Sequence, residues 1–133
     1  MNGVLIDTSV WISFFRGGNE SIREEINRLL LENQVCICPP IYQEILQGVK
    51  DEFEFDRLRD LLDALIWLDI PYKDLAFRAA NLFFSLRTKG ISIRKSMDCQ
   101  IAVFAIHFKV PIFEFDRDFE LIQRGTDLKL YKP

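Results

Sequence analysis

Histidine is nearly missing from this chain, with His107 standing alone among 133 residues. One imidazole builds no His-rich metal site, and without a histidine base beside the chemistry a triad hydrolase is disfavoured. The three cysteines, Cys36, Cys38 and Cys99, are an odd number without zinc-ligand spacing. Neither a disulfide framework nor a zinc site is favoured. No P-loop and no GxGxxG follows an apolar run, so nucleotide cofactors lack support. No apolar stretch reaches the ~18 residues that cross a bilayer. The opening MNGVLIDTSVW lacks the basic n-region and small-residue cleavage site of a secretory signal. There is no Pro/Ser-rich linker, repeat or low-complexity tract, so no domain boundary is placed. A basic surplus is missing too: 17 Lys and Arg against 20 Asp and Glu give a net charge of −3. That balance argues against bulk binding to a phosphate backbone.

What is present is apolar matter, at 49% of the residues. With balanced charge this excludes disorder, and a chain of this size buries about two-thirds of its unfolded surface. A single cytoplasmic domain over residues 1–133 is expected, with no membrane partner.

Short apolar runs alternate with helical patterns. Residues 4–6, 35–38, 66–70, 110–115 and 128–131 read as strands. Helical spacing covers 10–15, 19–33, 41–49, 52–65, 73–88 and 97–108, with a short helix after Asp116. Gly17-Gly18 and Gly90 act as stops. Strands separated by helices of this length imply right-handed βαβ units. The fold class is α/β, with a mainly parallel central sheet covered by helices on both faces.

In an open parallel sheet, ligands bind beyond the carboxyl ends of the strands. Asp7 follows the run Gly3-Val4-Leu5-Ile6, and Asp116 ends the run that includes Ile112 and Phe113. Glu44 in PPIYQEILQG and Asp98 in KSMDCQIAVFAI lie at or near helix starts. All four fall on one rim of the expected sheet. Taken singly, each has an ordinary use: Asp7 as an N-cap, Asp98 at the positive end of a helix, Glu44 in solvent, and Asp116 and Asp118 as caps of the next helix. Taken together, the carboxylates repel one another and call for a counterion. A hard divalent cation such as Mg²⁺ or Mn²⁺ prefers such oxygen ligands, and metal-assisted phosphodiester hydrolysis is the reaction class that follows.

Two divalent ions would turn the net charge slightly positive. Arg87, Lys89, Arg94 and Lys95 also precede Asp98 with no acidic residue between Leu86 and Met97. That group suits phosphate binding, or equally a solvated loop after a helix C-terminus.

These residues resemble the PIN-domain ribonucleases, and among them the VapC-type toxins of toxin–antitoxin pairs. The segments VLIDTSVWI, IYQEILQG, LRTKGISI followed by MDCQIAVFAI, and PIFEFDRDF carry the likeness, in order, over nearly the whole chain. The resemblance implies a three-layer α/β/α PIN-like fold. It assigns the catalytic acids to Asp7, Glu44, Asp98 and Asp116, the same four as metal ligands, and Asp118 as an auxiliary or alternative ligand. Ser9, in preference to Thr8, fits the family's small hydroxyl residue and joins Arg87, Arg94 and Lys95 as the substrate-binding set. The implied activity is Mg²⁺- or Mn²⁺-dependent endonucleolytic cleavage of RNA. A homodimer is implied as well, with inhibition by a small cognate antitoxin that inserts a segment across the active site.

One departure is Glu114, two residues before the fourth acid, where the family often has threonine or serine. Strand alternation places it on the side of Asp116. His107, nine residues after Asp98, is half a turn out of phase on a helix and should face away from the acids. The cysteines read as small buried apolar residues. Phe53, Phe55, Phe77 and Phe84 exceed what single helix stripes bury, and point to an apolar interaction surface or a phenylalanine-rich core. The helical segment 41–65 and the following long helix are the expected dimer or antitoxin contacts.

Two other functions compete. A PIN-like module that binds RNA or protein without cleaving would be expected to have lost one or more of the four acids. A receiver-type phosphoacceptor domain shares the acidic rim, but should supply a lysine where PIFEFD has none.

Overall fold

The computed structural model describes residues 2–133. Its strands are β1 (Val4–Ile6), β2 (Val35–Ile37), β3 (Ile66–Trp67) and β4 (Ile112–Phe113). They form one sheet in the order β3-β2-β1-β4, and every pairing is parallel. Seven helices among the described residues flank it: α1 (Thr8–Phe15), α2 (Glu20–Leu31), α3 (Pro39–Gln47), α4 (Glu52–Asp63), α5 (Tyr72–Thr88), α6 (Ser96–Phe108) and α7 (Arg117–Arg124). The expected α/β class and mainly parallel sheet are therefore present.

The strands are short because each is stopped by chemistry that the sequence carries. β2 runs into Pro39-Pro40, whose missing N–H groups suit the first turn of α3, where such donors are unpaired anyway. The expected strand 66–70 shrinks to two residues plus one ladder bond from Leu68 N to Ile37 O at 2.8 Å. Its partner has by then turned into α3. On the other edge, residues 128–131 do not form the expected last strand. They add a single parallel bridge, Leu130 to Ile112, with backbone bonds Ile112 N to Lys129 O at 2.9 Å and Tyr131 N to Ile112 O at 2.8 Å. The ladder cannot extend backwards, because the Val110 N–H is used to close α6 on Ala105 O and Pro111 has no N–H.

Trp11, Phe104, Phe113 and Phe119 are fully buried at the centre, with the apolar side chains of β1 and β2 around them. Residues 98–105 of α6 are all buried except Gln100, which makes it the central helix of its layer. The three cysteines are free and buried, as expected of small core residues. Phe53, Phe77 and Phe84 are 75%, 70% and 60% exposed. The surplus phenylalanines thus lie on the surface of α4 and α5, not in the core.

Candidate active site

β1 and β4 are neighbours in parallel register, with Ile6 opposite Phe113. Residues just beyond their ends therefore emerge side by side. Asp7 leaves β1 and donates its backbone N–H to Phe113 O at 2.9 Å. It is also the N-cap of α1, its carboxylate accepting from Ser9 N at 3.2 Å and Ser9 Oγ at 2.6 Å. The ordinary capping use of Asp7 and its place on the acidic rim are thus the same geometry. Asp116 likewise caps α7, accepting from Asp118 N at 3.0 Å. Asp98 and Asp118 lie in the first turns of α6 and α7.

The structure brings Asp98, Asp116 and Asp118 into one group, each offering a carboxylate oxygen within 4.8 Å of the others. Asp118, expected only as an auxiliary, belongs to this tight group. Asp7 and Glu44 stand outside it. Asp7 nevertheless adjoins it electrostatically, since its charge and that of Asp116 both act on Asp98. Glu44, half-buried on α3, accepts a bond from Thr8 Oγ1 at 2.9 Å. It faces a groove of about 510 Å³ between α1, α3 and α4, whose walls include Ile12, Phe15, Val49 and Leu58.

Four aspartates here are buried, with Asp7, Asp98 and Asp118 at 4–5% exposure. Burial raises the Asp7 carboxyl above its ordinary range. Burial, a side-chain hydrogen bond with Asp118, and the charges of Asp116 and Asp7 together push Asp98 up to about 8. Burial acts on Asp116 in the same direction, but the bonds from the Lys95 ammonium and the Asp118 amide outweigh it and hold that carboxyl below its usual value. Asp98 Oδ2 is buried and has no hydrogen-bond partner. An orphaned carboxylate oxygen beside two further carboxylates is an electrostatic debt that an all-oxygen, divalent-cation site discharges.

The hydroxyl pair at the start of α1 divides its work. Ser9 Oγ accepts from Phe115 N at 3.1 Å while donating to Asp7, so it ties the β4 exit to the first acid. Thr8, the less favoured of the two by sequence, holds Glu44. Of the expected phosphate-binding cations, Lys95 reaches the acids, through an ion pair of its ammonium with Asp116. The Arg94 and Lys95 backbone N–H groups donate to the two Asp118 oxygens at 3.4 and 3.0 Å. Arg87 is not drawn in: its guanidinium lies over the Phe83 ring, 5.6 Å from the centroid. Lys89 donates to Gly125 O at 3.0 Å. Glu114 is half-buried and pushed up by burial, with Asp7 among the charges it feels, but it stands outside the tight group. His107 is exposed and its Nδ1 lies 2.9 Å from the Arg78 guanidinium, away from the acids as expected.

The PIN domain family matches residues 4–125. A VapC ribonuclease of Mycobacterium bovis, Mb1587, is 36% identical over 129 residues, covering 95% of this chain and 96% of the relative. Ribonuclease VapC11 of Mycobacterium tuberculosis matches with the same identity and coverage. Among solved structures, VapBC2 of Rickettsia felis bound to a DNA fragment of its promoter superposes with a TM-score of 0.73 at 19% identity, covering 96% of each chain. VapBC-1 of nontypeable Haemophilus influenzae gives 0.72 at 19% identity, again over 96% of each chain. The fold is shared with the matched chains of those structures. On the family match and the identity to VapC ribonucleases, the chain belongs to the PIN-domain family, within the VapC ribonucleases.

Proposed function

We propose that this protein is a metal-dependent endoribonuclease and the toxin of a toxin–antitoxin pair. The observation that carries the reading is Asp98 Oδ2, a buried carboxylate oxygen without a partner, beside the oxygens of Asp116 and Asp118. The ribonuclease names of its relatives supply the substrate class.

Asp98, Asp116 and Asp118 would hold a divalent cation, with Asp7 adjoining and Glu44 on the groove side. When bound, a hard ion such as Mg²⁺ or Mn²⁺ would supply an activated water and positive charge for the oxygens of a phosphodiester. The chain's own residues then do four things. Asp98 gives up its proton when positive charge arrives, which its raised pKa makes ready near neutral pH. Ser9 keeps Asp7 aimed at the site. Thr8 keeps Glu44 turned to the same rim. Arg94, exposed beside the cluster, is placed to meet a phosphate of the strand.

In the net step a water oxygen bonds to phosphorus, the bond to one ribose oxygen breaks, and that oxygen takes up a proton. The products are a phosphate monoester end and a hydroxyl end. Since the attacking oxygen comes from water, no 2′,3′-cyclic phosphate forms. End-group analysis of a short synthetic RNA tests this. Monoester and hydroxyl ends are expected, and cyclic phosphate ends would contradict the reading.

The apolar walls from α1, α3 and α4 in the groove beside Glu44 suit the apolar face of a short peptide segment and support that groove as the antitoxin contact. Phe77 and Phe84, exposed on α5, support a homodimer contact on that face. Among the described residues no helix is long and apolar enough to cross a membrane, and three free buried thiols accord with a reducing cytoplasm.

A further inference from the structure

Lys95 occupies the N-cap position of α6 and makes no side-chain capping bond there. Serine, threonine, aspartate or asparagine would normally fill such a position. Its side chain turns instead to Asp116, and among the described residues this is the ion pair that reaches the acidic group. The two halves of the pair differ in freedom. Asp116's side chain is 8% exposed and Lys95's is 52% exposed. The lysine backbone does not depend on that ion pair, because its N–H and that of Arg94 are anchored on Asp118. The ammonium can therefore leave for solvent while the loop stays fixed.

We propose that Lys95 is the resident counterion of the acidic centre, a positioning residue whose ammonium balances Asp116 until a divalent cation displaces it. This rests on the cation site proposed above and adds a role that the acidic residues do not imply. Three carboxylates with oxygens within 4.8 Å cannot all stay ionised without positive charge nearby. One ammonium relieves Asp116 and leaves Asp98 Oδ2 unpartnered, so the neutralisation is partial and the site stays receptive. A tethered ammonium and a divalent ion compete for the same oxygens. Lys95 therefore sets the cation affinity lower than the carboxylates alone would give.

The test compares Mn²⁺ binding by calorimetry for the full chain, Lys95→Met and Lys95→Arg. Methionine keeps most of the stem and removes the charge, while arginine keeps the charge. The expected result is Mn²⁺ binding about fivefold tighter in Lys95→Met, the scale of a part-exposed ion pair, with Lys95→Arg close to wild type. A second readout is acylation of the Lys95 amine by acetic anhydride, followed by mass spectrometry. Mn²⁺ should speed it in the wild type by releasing the ammonium from Asp116. Unchanged or weaker Mn²⁺ binding in Lys95→Met, or acylation of Lys95 that Mn²⁺ leaves unchanged or slows, overturns the proposal while leaving the cation site standing. Absence of Mn²⁺ binding in all three proteins overturns both together.

Discussion

At the scale of single residues, Asp98 carries the sharpest consequence. Its carboxyl sits at about 8 in the fold against an ordinary 3.8. The neutral form is favoured in the folded state, so its contribution to stability is complete below about pH 4 and lost as pH rises through about 8. Burial moves Asp7 in the same direction. In EDTA, the melting temperature should fall between pH 6 and pH 9, and Asp98→Asn should flatten that fall. Asparagine also places a donor beside Asp118. The metal-free variant should therefore melt about 5 °C higher at pH 8, the scale of satisfying one buried polar group in a domain of this size. Its cleavage rate should drop by about 100-fold or more, as when a group that stabilises transition-state charge is lost. A variant gaining stability while losing activity marks Asp98 as a functional residue and not a core one. Thr8→Val tests the Glu44 tether. Loss of one bond to a carboxylate should cost about 1 kcal/mol in urea unfolding and lower the cleavage rate several-fold.

At the scale of elements, what the sequence disclosed depended on whether a boundary is set by a local residue or by a partner. Strand β1 was legible to the residue because Asp7 ends it and caps the next helix. Helices α5 and α6 differ from their expected ranges by one residue at the N-terminal end. Gly90, at a φ of +81°, supplies the left-handed turn after α5 that few other residues adopt. The last strand was not legible, because its failure depends on the Val110 N–H being taken by α6. The pairing of Lys95 with Asp116 was equally hidden. A run of cations before a helix gives no sign of which one turns inward. Where α6 ends, Lys109 takes the left-handed conformation at a φ of +57°. Lys109→Gly should relieve that strain and stabilise the fold by about 0.5–1 kcal/mol in chemical denaturation.

At the scale of the whole molecule, part of the acidic group was legible from the order of the segments alone. Of the four expected acids, Asp98 and Asp116 meet, and Asp7 stands near enough for its charge to act on Asp98, because parallel topology delivers strand ends to one rim. Topology could not rank them, however. Asp118 joins Asp98 and Asp116 in the tight group, while Asp7 and Glu44 stand outside it, held by Ser9 and Thr8 respectively. Those distances depend on side-chain bonds that spacing does not encode. The phenylalanine surplus belongs to this scale too. Phe77 and Phe84 are seven residues apart on α5, hence on one face, and both are exposed. If that face joins two copies, Phe77→Ser with Phe84→Ser should convert a dimer to a monomer in sedimentation, leaving the melting temperature within a few degrees.

The most direct measurement is cleavage of total cellular RNA by the purified protein, freed of any bound inhibitor, in Mg²⁺, in Mn²⁺ and in EDTA, beside Asp7→Asn and Asp98→Asn. Discrete fragments that require the cation and vanish in both variants are the predicted result. A wild type that leaves RNA as intact as the two variants do, with either cation present, would contradict it and leave a PIN domain that binds without cutting.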